Sequence, residues 1–346
     1  FREPRNTAVP PISHKESSSR PREDVISGFA TADDGVQLHW RIVGSGPLLI
    51  CCNGVGVSTF FWKYLVDRFR KTHRILLWDY RAHGRSQRAL EPEAQDFSVH
   101  RHARDLITIL EHLEETEPAV LIGHSMGCQV ALETIRTRPT LARGLVLALG
   151  TAGRALHTFY DFKYSWVLFR LLSRSLGRLG PLPNQIMRPL LASPLAWPVS
   201  RHLKLVDPYY MSQHDLQPYI DHLATLDLDT FFQNVIETDR HDCWDLLPDL
   251  SVPTLVIAAE NDKFTPMWCS QKIVETIPNA ELLVLADASH AALVEQPETI
   301  NYRLAKYLSQ LGDEVPVRRS VSILNRETVS GRVRPTSDRT MLLGTK

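Results

Sequence analysis

The stretch AVLIGHSMGCQVALETI, residues 119–135, joins an apolar run to an amphipathic run through the pentapeptide GHSMG. The first run predicts a buried strand and the second predicts a helix. A serine held on a sharp strand-to-helix turn projects its hydroxyl above the edge of a sheet, and flanking glycines let the backbone pass close by. The stretch therefore predicts that Ser125 is a nucleophile, although two glycines around a serine also occur in ordinary turns.

Short apolar runs alternate with segments of helical length on both sides of this stretch. The candidate strands are VQLHWRIV, PLLICC, HRILLW, AVLIGH, GLVLALG, PTLVIAA and ELLVLA. This alternation predicts an α/β fold, with a mostly parallel, doubly wound sheet and helices on both faces.

The alternation stops between residues 153 and 249, where helical patterns, prolines and aromatic residues occur without a buried strand run. We expect residues 153–249 to form an inserted helical cap, and residues 29–152 and 250–312 to form the core. Residues 1–28 and 313–346 lack periodicity and are rich in polar and charged residues, so we expect both ends to be flexible.

One predicted cap helix, FYDFKYSWVLFRLLSRSLGRLG, is amphipathic. Aromatic side chains recur on one face and arginines on another: Phe162, Trp166 and Phe169, against Arg170, Arg174 and Arg178. We favour a cap helix with a solvated basic side over a contact with a membrane surface.

Composition excludes several classes of protein. The chain has 346 residues, 43% of them apolar, and Lys plus Arg equals Asp plus Glu at 39 each, so the net charge gives no reason to expect a nucleic-acid partner. The five cysteines form no C-x-x-C pair, and so indicate neither a disulfide scaffold nor a zinc site. No apolar run has the length of a signal peptide or a membrane span, and we expect a cytoplasmic protein.

A serine nucleophile needs a base within hydrogen-bonding reach and an acid that orients the base. Asp262 follows the candidate strand PTLVIAA, and His290 follows ELLVLA. Active groups of open α/β sheets gather at the carboxyl ends of the strands, so both side chains are expected near Ser125.

Five motifs occur in an order that resembles the α/β-hydrolase superfamily, in particular its esterases and monoacylglycerol lipase-like members. They are NGVG, WDYRAHGRS, IGHSMG, AAENDKFTP and ASHAALVEQP, and the resemblance covers residues 34–312. It implies Ser125 as nucleophile, His290 as general base and acid, Asp262 as the orienting carboxylate, and a covalent acyl-enzyme. It implies no metal or other cofactor.

Each assignment has a competitor. Asp287 and Glu260 lie close in sequence to His290 and Asp262 and could be solvated loop charges; we favour Asp262 because it occupies the acid position of the family. His124 beside the nucleophile is expected to be structural. WDYRAHGRS resembles a scaffolding turn of the family in which Ala82 replaces the usual glycine.

The resemblance also implies an oxyanion hole formed by the backbone N–H groups of Val55 and Met126. The first of these follows Asn53-Gly54, where the family more often has His-Gly. Asn53 is similar to the residue found in enol-lactonases and intracellular polyester depolymerases of the superfamily, and it leaves the subfamily open.

We therefore expect a serine hydrolase that cleaves a small carboxylic ester with an apolar acyl or alcohol part. Lactone, thioester or C–C bond hydrolysis and acyl transfer use the same side chains. A catalytically silent ligand-binding protein and cofactor-free oxygen chemistry are alternatives of other classes. The sequence leaves the substrate, the oligomeric state and the role of the two ends open.

Overall fold

A single mixed sheet organises the part of the chain that the structure describes. The computed structural model describes residues 25–91, 95–179, 182–203, 205–206, 209 and 211–313. The strands are β1 Val25–Thr31, β2 Gln37–Val43, β3 Leu48–Cys52, β4 Arg74–Trp78, β5 Ala119–His124, β6 Ala142–Ala148, β7 Thr254–Ala259 and β8 Ala280–Leu285. Their order is β1-β2-β4-β3-β5-β6-β7-β8. Strand β2 pairs antiparallel with β1 and β4, and all other neighbouring strands pair parallel.

Helices cover both faces of this sheet, which confirms the predicted α/β class. The core helices are α1 Lys63–Phe69, α2 Val99–His112, α3 Met126–Thr137, α9 Met267–Thr276, α10 Ala292–Glu295 and α11 Pro297–Gln310. Buried side chains of α2, α3 and α9 pack in one apolar cluster, and those of α1, α10 and α11 pack in the other. Alternation along β3 divides its residues between the clusters, so that Cys51 and Cys52 are both buried but on opposite faces.

Strand β1 was not among the predicted strands. The expectation that residues 1–28 are flexible is wrong for Val25–Gly28, because these residues pair with β2. Gly28 interrupts the apolar pattern, but a side chain there would lie 2.8 Å from the Trp40 ring. The expectation for residues 1–24 and 314–346 falls outside the described residues.

The chain between β6 and β7 contains a segment that we call the insert, residues 153–249, whose described part has five α-helices. They are α4 Ser165–Gly177, α5 Leu182–Leu191, α6 Ala196–His202, α7 Gln213–Thr225 and α8 Leu228–Arg240. Phe169 of α4 contacts Phe232 of α8 with ring centroids 5.0 Å apart. The predicted aromatic face is wrong for Phe162, because α4 begins at Ser165 and the Phe162 side chain is exposed.

Within the described residues, none of the helices combines the length and the apolar character needed to cross a membrane.

Candidate active site

Ser125 lies at the turn between β5 and α3 with φ 54° and ψ −119°, a backbone conformation that L-residues rarely adopt. The two glycines of the pentapeptide make this turn possible. A Cβ on Gly123 would lie 2.4 Å from the carbonyl oxygen of Gly127, and a Cβ on Gly127 would lie 2.0 Å from that of Cys52. The sequence spacing therefore reflects close backbone packing beneath the serine.

The structure brings Ser125, His290 and Asp262 together. The Ser125 Oγ lies 3.0 Å from His290 Nε2, and His290 Nδ1 lies 2.8 Å from Asp262 Oδ2. Because an ionised carboxylate only accepts hydrogen bonds, Nδ1 carries the proton and the Nε2 lone pair faces the serine hydroxyl. The arrangement can take a proton from Ser125.

The Asp262 carboxylate is held in place by three hydrogen bonds in addition to its contact with His290. Its Oδ1 accepts hydrogen bonds from the backbone N–H groups of Phe264 and Thr265 at 2.8 and 2.9 Å, and its Oδ2 accepts from the Thr265 hydroxyl at 2.8 Å. The carboxylate is buried. The competing carboxylates of Glu260 and Asp287 are both exposed, and Glu260 accepts a bond from the Asp287 backbone at 3.4 Å.

The loop that carries His290 is tied to α10 by Glu295. This buried carboxylate accepts a 2.7 Å bond from the Ser289 backbone and a 2.6 Å bond from the Ser289 hydroxyl. Sequence analysis did not assign Glu295 a role, although it lies within the motif ASHAALVEQP. The sequence signal for it was a charged residue directly after the apolar run AALV, residues 291–294.

His124 supports the same loop from below. Burial, together with the nearby His290, lowers the pKa of His124 to about 3, so the ring is neutral. Its Nε2 donates to the carbonyl oxygen of His290 at 3.1 Å. This contact agrees with the expectation that His124 is structural.

Asn53 does not point at Ser125 but locks the backbone of its own loop. Its Nδ2 donates to the carbonyl oxygen of Trp78 at 2.7 Å, and its Oδ1 accepts from Trp62 Nε1 at 2.7 Å. Its carbonyl oxygen accepts from the Tyr80 hydroxyl at 2.8 Å. An asparagine suits this position because it offers a donor and an acceptor to two buried partners.

The rest of NGVG passes directly beside the serine. A Cβ on Gly54 would lie 3.1 Å from the Ser125 Cβ, so glycine permits the approach, and Gly56 has φ 67°. Val55 and Met126, the two residues expected to supply oxyanion donors, line one cavity together with Ser125. Met126 is also the first residue of α3, where backbone N–H groups and the helix dipole favour negative charge.

The WDYRAHGRS segment forms a buried scaffold. Asp79 accepts bonds from the Ser58 hydroxyl at 2.5 Å and from His39 Nδ1 at 3.0 Å. Arg81 forms a two-bond pair with buried Asp105, at 2.8 Å for each bond. Ala82 has φ 60°, the left-handed region that favours glycine.

Two cavities, of about 230 and 350 Å³, meet at the serine. Both are lined by Val55, Ser125, Tyr219, Phe264 and His290. The first extends beneath α6 and α7, with Ser200, Leu205, Val206, Leu216 and Pro218 in its wall. The second extends beneath α4 and α8, with Phe159, Phe169, Phe231 and Val235 in its wall. Most of the lining is apolar, and the insert supplies much of it.

A separate cluster joins His100 of α2, Glu133 of α3 and His241, which follows α8, with potential ligand atoms within 4.8 Å of one another. Arg136 Nε lies 3.3 Å from the Glu133 carboxylate. A guanidinium at this distance opposes the binding of a cation. We therefore assign the cluster to the contact between the core and the insert.

Comparison with known proteins assigns the chain to one family. Residues 47–297 match the family model of the alpha/beta hydrolase fold, so the chain belongs to that family. A relative named "Putative carbamate hydrolase RutD" from Pseudomonas savastanoi pv. phaseolicola is 27% identical over 273 residues, covering 79% of this chain and 98% of the relative. An uncharacterized hydrolase, YugF, of Bacillus subtilis is 26% identical and covers 80% of this chain and 95% of its own length.

Solved structures share the fold. A thermophilic esterase from Thermogutta terrifontis superposes with a TM-score of 0.66 at 24% identity, covering 83% of this chain and 99% of its own. An enol-lactonase from Burkholderia xenovorans LB400 gives 0.66 at 21% identity, covering 82% and 100%. The family is that of hydrolases, and hydrolase activity is the general function that it supports.

Proposed function

We propose that the protein is a serine hydrolase that cleaves a carboxylic ester with an apolar acyl or alcohol part. The observation that carries the proposal is the meeting of two apolar cavities at a Ser125 hydroxyl that donates to His290. An ester presents one group on each side of its carbonyl carbon, so one cavity would accept the acyl part and the other the alcohol part.

In this mechanism Ser125 Oγ attacks the carbonyl carbon while His290 Nε2 takes its proton. Asp262 holds the imidazole in the required tautomer and stabilises the imidazolium that forms. The N–H groups of Val55 and Met126 would donate to the oxyanion of the tetrahedral intermediate. His290 then returns the proton to the departing alcohol, and water hydrolyses the acyl-enzyme by the same steps.

The names of relatives suggest two other substrates, a carbamate and a lactone. A carbamate, the substrate class in the name of the RutD relatives, tests whether the protein cleaves a nitrogen-containing substrate. A lactone tests whether it prefers a substrate whose acyl and alcohol parts belong to one ring. The aromatic and aliphatic linings of both cavities favour an apolar ester. No specific contact in the described residues favours a carbamate.

A panel of p-nitrophenyl esters of increasing acyl length, a carbamate and a set of lactones tests the proposal. We expect esters to be hydrolysed fastest, and a fluorophosphonate probe to label the wild type but not Ser125→Ala. Absence of labelling in the folded wild type, or equal labelling of Ser125→Ala, would refute a serine hydrolase. Faster turnover of the carbamate or of a lactone would refute the ester preference alone.

A further inference from the structure

The insert carries most of the large apolar side chains that the described residues leave exposed. Fourteen of twenty such side chains lie between Tyr160 and Tyr209. On three helices they recur at four-residue steps: Leu168 and Leu172 at α4, Leu182, Ile186 and Leu190 at α5, and Leu195, Val199 and Leu203 at α6. This spacing places them on one face of each helix.

The exposure is substantial. Ile186 is 65% exposed, Leu168 is 62% exposed and Leu195 is 59% exposed. Helices α5 and α6 both contact α7, so each has its own packed face in addition to the exposed one. Single exposed apolar side chains are common on protein surfaces, whereas clusters mark sites of interaction.

The same segment has an unusual charge. From Phe162 to Val206 the sequence has no Asp or Glu, in a chain whose acidic and basic residues are equal at 39 each. Its basic residues are Lys163, Arg170, Arg174, Arg178, Arg188, Arg201 and Lys204. Arg170 pairs with Asp239 of α8 at 3.2 Å, but no ion pair links Arg174, Arg178 or Arg188 to an acidic side chain among the described residues.

We propose that these exposed apolar and basic side chains of α4, α5 and α6, the insert patch, bind the surface of an anionic lipid bilayer. Helices with an apolar stripe flanked by arginines lie in the bilayer interface, with the stripe among the acyl chains and the arginines at the headgroups. Anionic headgroups attract exposed Lys and Arg side chains near the surface. Both features occur on the same helices, and the exposed apolar side chains are the reason to prefer a membrane contact to the solvated basic side expected from the sequence.

The charge of the insert patch favours lipid over a second copy of the chain. A two-fold contact would place the same surface against itself, and so would bring arginines against arginines without an acidic side chain to compensate. An anionic bilayer supplies the missing negative charge and an apolar phase together. A dimer through the patch is therefore an outcome that counts against the proposal.

The insert patch is next to the cavity that contains Ser125. Ser200 of α6 and Leu205 and Val206, which follow it, belong to the wall of that cavity. A bilayer bound to α6 would therefore lie against the chain segment that closes the cavity, from which an apolar ester could enter. This link to the substrate rests on the proposed function, whereas membrane binding itself does not.

Vesicle cosedimentation of the Ser125→Ala protein separates binding from catalysis. With vesicles of phosphatidylcholine and phosphatidylserine in equal amounts at low salt, we expect binding at least about tenfold tighter than to phosphatidylcholine alone, and weaker at high salt. The variant Arg174→Ser/Arg178→Ser/Arg188→Ser should bind roughly 100-fold more weakly, since each arginine contributes about fivefold. The control Lys71→Ser/Arg104→Ser/Lys306→Ser makes the same change in net charge at exposed positions outside the patch.

The apolar contribution has its own pair of variants. Leu168→Ser/Ile186→Ser should lower binding by at least about tenfold, whereas Ile26→Ser/Leu90→Ser, also at exposed positions, should leave it unchanged. Failure of the parent Ser125→Ala protein to bind anionic vesicles overturns the proposal. Equal losses in the patch and control variants do so too, as does a dimer in solution that only the patch variants dissociate.

Discussion

At the scale of single residues, the site depends on a carboxylate that fixes one tautomer of one histidine. Asp262 → Asn would keep the shape of the side chain but would remove the charge that holds the proton on His290 Nδ1. We expect kcat to fall by about 10³ to 10⁴-fold with little change in KM, because the interaction that is lost acts in the transition state. Steady-state kinetics with a p-nitrophenyl ester measure both constants.

The matched control for that change is Asp287→Asn, at an exposed carboxylate three residues before His290. It should retain the wild-type kcat. Loss of activity in Asp287→Asn with full activity in Asp262→Asn would show that the orienting acid was assigned to the wrong residue.

Ala82 has a backbone conformation that determines how a substitution there changes the free energy of unfolding. Its φ of 60° costs an L-residue free energy that glycine does not incur. Ala82→Gly should therefore raise the free energy of unfolding by roughly 0.5 kcal/mol, after the greater entropy of glycine in the unfolded chain is subtracted. Urea unfolding measures the change, and a decrease would contradict it. Ala103→Gly, at a buried position within helix α2, is the control and should lower the same quantity by about 2 kcal/mol, because it loses helix propensity and a buried methyl group.

At the scale of elements, the loop between β8 and α10 places the histidine. Glu295 accepts two bonds from Ser289, and its replacement by glutamine would turn an amide N–H₂ toward one of these donors. We expect Glu295→Gln to lower kcat by about tenfold while KM changes little, because His290 is displaced relative to Ser125. Glu298→Gln, at an exposed position on α11, is the control. A rise in KM alone would show that the loop contacts substrate and does not position the base.

The elements also show which parts of the site the sequence could predict. Ser125, Asp262 and His290 each follow a strand of the parallel part of the sheet, and the carboxyl ends of these strands meet at one edge. This edge brings the three residues together whatever the details of packing. The contacts of Asn53 with Trp62 and Trp78 depend on how β3, β4 and the short 3-10 helix Thr59–Trp62 pack, which local pattern does not specify. The sequence therefore predicted the loop but not the role of its asparagine.

Strand β1 and the start of α4 were missed for a related reason. Gly28 weakens the strand pattern in the sequence. The reason for a glycine there is the Trp40 ring of β2, which lies over it and leaves no room for a side chain. Phe162 continues the periodicity of α4 although the helix begins three residues later, at Ser165. The shapes of the two cavities depend on how five inserted helices pack on the core, and no spacing in the sequence encodes them.

At the scale of the whole molecule, buried neutral histidines make stability depend on pH. Burial lowers the pKa of His83 to about 4 and the pKa values of His102 and His124 to about 3. In the unfolded chain these histidines take up protons at the ordinary pKa near 6.5. Their contribution to the free energy of unfolding is therefore fully present above that pH and is lost as the pH falls toward about 4. At about pH 5, each histidine should cost roughly 2 kcal/mol.

His102→Gln tests this dependence, because glutamine can still donate to Asn234 of α8 as the His102 Nε2 does at 2.9 Å. Between about pH 7 and pH 5, the free energy of unfolding should fall less steeply in this variant than in the wild type. His112→Gln, at an exposed histidine that ends the same helix, is the control for a change of histidine to glutamine on α2. Identical slopes in all three proteins would show that His102 does not carry the effect.

The meeting of two cavities at the Ser125 hydroxyl has a consequence for the two steps of the proposed reaction, acylation and deacylation. In the proposed mechanism the alcohol would leave one cavity once the ester bond breaks, while the acyl group would stay bound to Ser125 in the other. Water would then reach the acyl-enzyme through the space that the alcohol has left. Esters with one acyl group and different alcohols should therefore share a single rate of deacylation after unequal pre-steady-state bursts. Different deacylation rate constants among esters whose stopped-flow traces all show a burst would mean that the alcohol remains bound during the second half of the reaction.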